Sequence, residues 1–80
     1  MQDVLENVRK AFRSAFDVEP DTVTIDTVPG DVKGWDSLGH VTLATCLEQQ
    51  FNLRFDVDEL MEMENVRAIV LILEAKLATV

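Results

Sequence analysis

The sequence contains few residues suited to redox or metal chemistry. Among its 80 residues it has one cysteine, one histidine and no tyrosine. Cys46 has no second cysteine for an intramolecular disulfide, and with the single histidine it falls short of the roughly four ligands of a structural zinc site. Asp56 and Asp58 are spaced like the start of a calcium-binding loop. That loop, however, needs a glycine and a bidentate glutamate where Met61 and Arg67 stand, so no metal site is predicted.

Long apolar runs and targeting signals are also missing. No stretch reaches the roughly eighteen consecutive apolar residues of a membrane helix. The sequence also does not open with the charged segment followed by an apolar segment that is typical of a targeting signal. We therefore expect no membrane span and a cytoplasmic location. Eighty residues correspond to one small domain, residues 1–80, that buries roughly 60% of its unfolded surface. The absence of repeats or linkers favours a stand-alone module, which we expect to be a monomer.

Basic residues are scarce as well. Seven Lys and Arg face fifteen Asp and Glu, for a net charge of −8. Because nucleic-acid backbones are bound through Lys and Arg, this balance argues against a nucleic-acid partner. The acids concentrate in residues 17–36 and 48–64, and each block has six acids and one base. These blocks either keep a small protein soluble or steer basic partners toward it.

Apolar residues recur at helical spacing in four segments. The first predicted helix runs from Asp3 to Phe16 and the second from Ser37 to about Phe51. A short acidic helix from Val57 to Met61 follows, capped by Asp56, and a last helix follows Asn65 as its cap. The fold class is therefore all-α, a four-helix bundle of three longer helices and one short helix. Core positions are expected in the second helix at His40, Leu43, Ala44, Leu47 and Phe51, and in the last helix at Val66, Ile69, Val70, Leu73 and Leu77, with Arg67, Glu74 and Lys76 outward.

A loop of about twenty residues separates the first two helices. Pro20, Pro29 and the glycines at 30 and 34 break the helical pattern, and a short turn is expected near residues 20–23. A loop this long in a small domain usually carries function or packs on itself. We expect it to be anchored over the core, with Trp35 as a further anchor beside the second helix and with apolar contacts from Ile25, Val28 and Val32.

Ser37 is the residue with the clearest functional signal. Asp36 is a strong N-cap type, so Ser37 falls in the first helical turn, where backbone N–H groups lack intrahelical partners. Those groups and the helix dipole favour negative charge, so a phosphate ester on Ser37 would be well accommodated. Leu38 and Val41 face outward within one turn of this serine. The position therefore suits covalent modification, with a small apolar docking point beside it.

His40 opens an alternative in which Ser37 is a catalytic nucleophile. A residue three positions along the helix can approach Ser37, but no third group is identified to orient the ring and no second segment supplies an oxyanion hole. A serine hydrolase remains one hypothesis. The other interpretation is that His40 is a half-buried helix residue whose ring lies against the preceding loop.

The helix pattern, the long first loop and the motif that opens the second helix together resemble the acyl carrier protein family. The resemblance spans nearly the whole chain. Residues 34–41 (GWDSLGHV), residues 47–51 (LEQQF) and the acidic short helix before Asn65 are similar to the free-standing bacterial members. The resemblance implies a four-helix bundle of acyl-carrier type.

The resemblance also implies a specific function. Ser37, in a motif with Asp36 and Leu38, would accept 4′-phosphopantetheine from coenzyme A, transferred by a separate magnesium-dependent phosphopantetheinyl transferase. The thiol of this arm would carry acyl or aminoacyl groups as thioesters, and partner enzymes with basic docking patches would load and remove them. The chain itself would not be an enzyme. The partner contacts carried over from the family are Leu38, Val41, Thr45, Glu48, Asp58, Glu59 and Glu62.

Departures from the family pattern leave the cargo open. Carriers of fatty-acid synthesis usually have an acid directly after Asp-Ser-Leu and further acids along the helix, whereas this chain has Gly39, Thr42, Gln49 and Gln50, and retains only Glu48. This favours a specialised carrier, for example in secondary-metabolite, lipid-modifying or aminoacyl pathways. An unmodified helical adaptor with the same fold is the alternative function. Whether the interior is filled or shelters an acyl chain also stays open; the residues expected to line it are Phe12, Phe16, Leu47, Phe55, Leu60, Met63 and Ile69.

Overall fold

The computed structural model describes residues 4–78 of the chain. These residues contain four α-helices, joined by loops, and no strand. The helices are α1 (Val4–Phe16), α2 (Ser37–Phe51), α3 (Val57–Glu62) and α4 (Val66–Ala78). This confirms the all-α bundle of three longer helices and one short helix. The predicted start at Asp3 lies outside the described residues. No helix within them combines the length and apolar character needed to cross a lipid bilayer.

The core lies where α1, α2 and α4 meet. Phe12 of α1, Leu43 and Leu47 of α2, and Ile69 of α4 are completely buried. Burial of each such side chain contributes about 1.5–3 kcal/mol to folding, so this layer fixes the position of α2 in the bundle. Met63, which follows α3, is 2% exposed and brings the end of the short helix onto the same core.

The ends of the helices follow from single capping residues. The Asp56 and Glu59 side chains form a capping box at the start of α3, since each accepts a hydrogen bond from the other's backbone N–H, at 2.8 and 3.0 Å. Asn52 adopts the left-handed conformation with φ 55° and ends α2. Asn65 Oδ1 accepts the Ala68 N–H at 2.8 Å and caps α4. The caps predicted at Asp56 and Asn65 are therefore confirmed, and α3 ends one residue later than predicted.

The long loop is held down by the predicted anchor Val32 and the half-buried Ile25, and also by Val23 and Thr27, which were not predicted. Val23 and Val32 are buried, as is Thr27, whose carbonyl accepts the Val66 N–H at 3.0 Å. The expected anchor Val28 is 42% exposed, and that prediction is wrong. The reason is local, because the Val28 N–H pairs with Asp31 Oδ2 at 3.2 Å to start a 3₁₀ turn, and its side chain faces outward. A first 3₁₀ turn, at Pro20–Thr22, lies where the turn was expected.

Lys76 also departs from the sequence expectation. Its predicted position was on the outward face of α4, yet its side chain is only 26% exposed. The Nζ donates to both carboxylate oxygens of Glu59 at 2.9 Å and lies 5.7 Å from the centre of the Phe55 ring. This ion pair joins α4 to α3.

Candidate functional site

Ser37 is the first residue of α2 and is exposed to solvent. The helix starts there because Asp36 Oδ1 accepts the Gly39 N–H at 2.9 Å and the Asp36 carbonyl accepts the His40 N–H at 2.7 Å. Between residues 4 and 78, the Ser37 hydroxyl makes no hydrogen bond. The side chain is thus exposed and uncommitted at the positive end of a 15-residue helix.

Gly39 shows why this chain lacks an acid after the Asp-Ser-Leu motif. A Cβ on Gly39 would overlap the carbonyl oxygen of Gly34 and would lie 2.9 Å from Cε1 of Phe16. Gly34 itself has φ 94°, a conformation that side chains rarely adopt. The loop therefore passes so close to the first turn of α2 that residue 39 has to be glycine.

Trp35 anchors this loop, as predicted. It is 6% exposed, and its ring meets the Phe12 ring edge-on, with the ring centres 5.0 Å apart. The Phe16 ring lies 6.5 Å away, centre to centre. Since Phe12 and Phe16 belong to α1, Trp35 ties the residues before Ser37 to the first helix. The backbone that precedes the serine is therefore fixed although Ser37 itself is exposed.

The His40 ring is engaged on both of its nitrogens. Nδ1 lies 2.9 Å from Nε1 of Trp35, and Nε2 lies 2.8 Å from the carbonyl oxygen of Leu60. The interpretation of His40 as a half-buried residue against the preceding loop is confirmed, and a contact to α3 is added to it. With both nitrogens bonded elsewhere, the ring does not act as a base toward Ser37 in this arrangement, which removes the geometric support for the hydrolase hypothesis.

An open apolar groove lies beside Ser37, between the start of α2 and α3. Its volume is about 450 Å³. Met61, which lines it, is 73% exposed, and Leu38, the residue after Ser37, is 83% exposed. Sequence reasoning did not assign Met61 to the site; its only signal was an exposed position on a short acidic helix. The residues that line the groove are Pro29, Trp35, Asp36, Ser37, His40, Val41, Leu60, Met61 and Met63.

The predicted partner-binding residues fall into two groups. Leu38, Val41, Thr45, Asp58 and Glu62 are exposed on the surface of α2 and α3, and the Thr45 hydroxyl donates to the Val41 carbonyl within α2 at 3.2 Å. The other two carboxylates are engaged within the protein.

Glu48 and Glu59 are these engaged carboxylates. Glu48 Oε2 accepts the Phe55 N–H at 2.9 Å, and Glu59 binds Lys76. The hydrogen bond from the Asp56 backbone N–H and, to a smaller extent, the hydrogen bond from Lys76 hold the pKa of Glu59 below its ordinary value. Within residues 4–78, no three His, Cys, Asp or Glu side chains converge to hold a metal ion.

Comparisons with known proteins agree with this arrangement. A family model described as a phosphopantetheine attachment site matches residues 6–73. Among solved structures, the holo acyl carrier protein from Geobacter metallireducens has the same fold, with a TM-score of 0.83 and 31% sequence identity. The match covers 98% of this chain and 90% of that one.

Proposed function

Because the chain belongs to the acyl carrier protein family and is a carrier of covalently bound 4′-phosphopantetheine, we propose that the arm is attached to the hydroxyl oxygen of Ser37. In this reaction Ser37 Oγ forms a bond to the phosphorus nearest the pantetheine of coenzyme A. The bond from that phosphorus to the adenosine bisphosphate portion breaks, and the hydroxyl proton passes to a group of the transferase. The product is a phosphodiester on Ser37.

The exposure of Ser37 at the start of α2 is the observation that carries this proposal. A phosphodiester has one negative charge, and the unpaired N–H groups and the dipole of α2 favour such a charge at this end. The chain has one other serine, Ser14, which is also exposed but lies inside α1. At Ser14 the backbone N–H groups are already bonded within the helix. Ser37 therefore has unpaired backbone N–H groups near it and Ser14 does not, so Ser14 is a suitable control.

The groove beside Ser37 supports an apolar acyl group as the cargo. When bound, the arm supplies a thiol on which acyl groups are held as thioesters. Pro29, Val41 and Met61 give the groove an apolar wall, and burial of a hydrocarbon chain against such a wall is favourable. An aminoacyl group is the alternative cargo. Amide chemical shifts of α3 distinguish the two, because a sheltered acyl chain shifts residues 60–63 and a solvated aminoacyl group leaves them unchanged.

Partner enzymes perform the chemistry in this proposal. The transferase and the loading enzymes would dock on Leu38 and Val41, with Asp58 and Glu62 attracting their basic patches. Because opposite surface charges accelerate encounter, the rate constant of association should fall as salt is added. The carrier would act as a cytoplasmic monomer, which sedimentation of the purified protein tests for the oligomeric state.

Intact-protein mass spectrometry tests the attachment directly. The wild-type protein is incubated with coenzyme A and a broad-specificity transferase, and its mass should rise by one arm. Ser14→Ala should gain the same mass, whereas Ser37→Ala should gain none. An unmodified wild-type protein, or a modified Ser37→Ala, would contradict the proposal. If a partner binds Ser37→Ala and unmodified wild type equally well, and better than the holo protein, the alternative of an unmodified adaptor is favoured instead.

A further inference from the structure

The His40 ring lies at the junction of three parts of the fold. It belongs to α2, accepts a hydrogen bond from the loop through Trp35, and reaches α3 through the carbonyl of Leu60. It also lines the groove beside Ser37. Trp35 is five positions away in sequence and Leu60 twenty. One side chain thus connects the start of α2 to both walls of the groove.

The two partners fix which ring nitrogen carries the proton. The indole Nε1 of Trp35 is a hydrogen-bond donor and has no lone pair to offer, so His40 Nδ1 has to accept. The Leu60 carbonyl oxygen is an acceptor, so Nε2 has to carry the proton and donate it. Both bonds therefore form together only in the neutral Nε2–H tautomer.

The Leu60 carbonyl depends on His40 for a good partner. The last carbonyls of a helix have no intrahelical N–H to accept from. In α3, the Met63 N–H reaches the Leu60 oxygen at 3.3 Å, whereas His40 Nε2 reaches it at 2.8 Å. A helix of six residues is too short to persist by its own hydrogen bonds, so its position depends on such tertiary contacts. His40 therefore caps α3 from across the groove.

The opposite side of the ring is firmly held. Trp35 is buried against the Phe12 and Phe16 rings of α1, and the Trp35 and His40 ring planes lie within 14° of parallel. A displacement of His40 would therefore require the loop to move as well. The position of α3 therefore depends, through His40, on the same loop that fixes the backbone before Ser37.

We propose that His40 is a positioning residue for the reaction at Ser37, holding α3 at a fixed distance from the start of α2 so that the transferase meets both elements in one arrangement. The proposal rests on Ser37 as the attachment site. His40 acts through the Leu60 carbonyl and does not touch the reacting oxygen. It contributes to recognition of the carrier by the transferase and not to the chemical step.

Two substitutions separate the two hydrogen bonds. In His40→Gln the side-chain amide nitrogen takes the place of Nε2 and retains the donor to Leu60. In His40→Asn the amide oxygen takes the place of Nδ1 and retains the acceptor for Trp35, but the side chain is too short to reach Leu60. A difference between the two variants therefore reports the bond to α3 specifically.

Steady-state transfer kinetics with the whole protein as substrate give the main test. We expect His40→Asn to raise the KM for the carrier about tenfold with kcat within about twofold of wild type, since one partly buried hydrogen bond is lost from the recognised arrangement. His40→Gln should restore the KM to within about threefold of wild type. Equal KM values for the two variants, whether raised or unchanged, would overturn the proposal.

Measurements on the unmodified protein keep the proposal independent of the attachment site. The ¹⁵N shifts of the His40 ring should identify Nε2 as protonated, and amide exchange in α3 should be faster in His40→Asn than in His40→Gln. A protonated Nδ1 in the neutral ring would overturn the proposal even if His40→Asn does not fold. If the wild-type protein takes up no arm while both of these results hold, the assignment of Ser37 fails and the role of His40 in placing α3 stands.

Discussion

The first turns of α2 have two sides with opposite properties. On the inner side, Gly39 is pressed against the Gly34 carbonyl and Phe16, and leaves no space for a Cβ. On the outer side, Ser37 and Leu38 are exposed, Leu38 by 83%. The contrast shows that the first turn of α2 is fixed by packing while the Ser37 side chain stays exposed. Packing on the inner side fixes the position of the first turn, so the exposed side chains of Ser37 and Leu38 are not needed to hold it.

Gly39→Ala tests the inner side and should have the largest effect on stability. An added Cβ would overlap a backbone carbonyl, which cannot rotate away, so we expect a loss of at least about 3 kcal/mol in the free energy of unfolding. Gly30→Ala is the matched control, because a Cβ at that position meets nothing within 4 Å. Urea unfolding measures both. Helix propensity alone would make Gly39→Ala stabilising by about 1 kcal/mol, and that result would refute the close approach.

Asp36→Ala tests the junction between the two sides. The Asp36 side chain accepts the Gly39 N–H at 2.9 Å, and removing this cap should cost about 1 kcal/mol of unfolding free energy. Asp36→Asn keeps an acceptor oxygen and should retain most of the stability. Thermal or urea unfolding of the two variants decides the matter. Equal destabilisation by both would show that the charge, and not the cap, is what Asp36 contributes.

Glu59→Gln tests the contribution of the Glu59 charge, which accepts from the Asp56 N–H and pairs with Lys76 of α4, and its effect should be below about 1 kcal/mol. The folded protein lowers the pKa of Glu59, so folding favours its charged form. That stabilisation is complete above the pKa of the unfolded chain and is lost as the pH falls through the lower folded pKa. Wild type should therefore exceed Glu59→Gln in stability at neutral pH, and the difference should shrink in acid. Urea unfolding across pH measures it, and a difference that grows toward acid would be inconsistent with this sign.

Leu38→Ser tests the outer side and should have the smallest effect on the fold. Because Leu38 is 83% exposed, the free energy of unfolding should change by no more than about 0.5 kcal/mol. Binding to the transferase should weaken, since the apolar contact beside Ser37 is lost. Leu71→Ser is the control, because Leu71 is also an exposed leucine, at 60%, but belongs to α4 and is far from Ser37 in sequence. Equal binding losses in the two variants would argue against docking at Leu38.

The sequence was sufficient for features that depend on neighbouring residues. The capping residues Asp36, Asn52 and Asn65 each act within a few positions of themselves, so helix boundaries could be predicted to within about a residue. The exposure of Ser37 and Leu38 followed from the same periodicity. These predictions succeeded because a cap and a helical face are properties of one short segment.

Features that join distant segments could not be predicted in this way. The bond from His40 to Leu60 spans twenty positions, and nothing in the local pattern distinguishes it from an ordinary core contact. The pairing of Lys76 with Glu59 was missed for the same reason, because the position of a residue on a helical face does not say which neighbour lies opposite. The requirement for glycine at position 39 likewise depends on the folded loop, because it comes from the contact with the Gly34 carbonyl.

Locating the arm by peptide mapping tests the central claim most directly. The protein is modified with coenzyme A and a transferase, digested, and sequenced by tandem mass spectrometry. The account predicts that the arm lies on Ser37 alone, at full occupancy in wild type and in Ser14→Ala. An arm on Ser14, on a threonine, or on any residue of Ser37→Ala would contradict it.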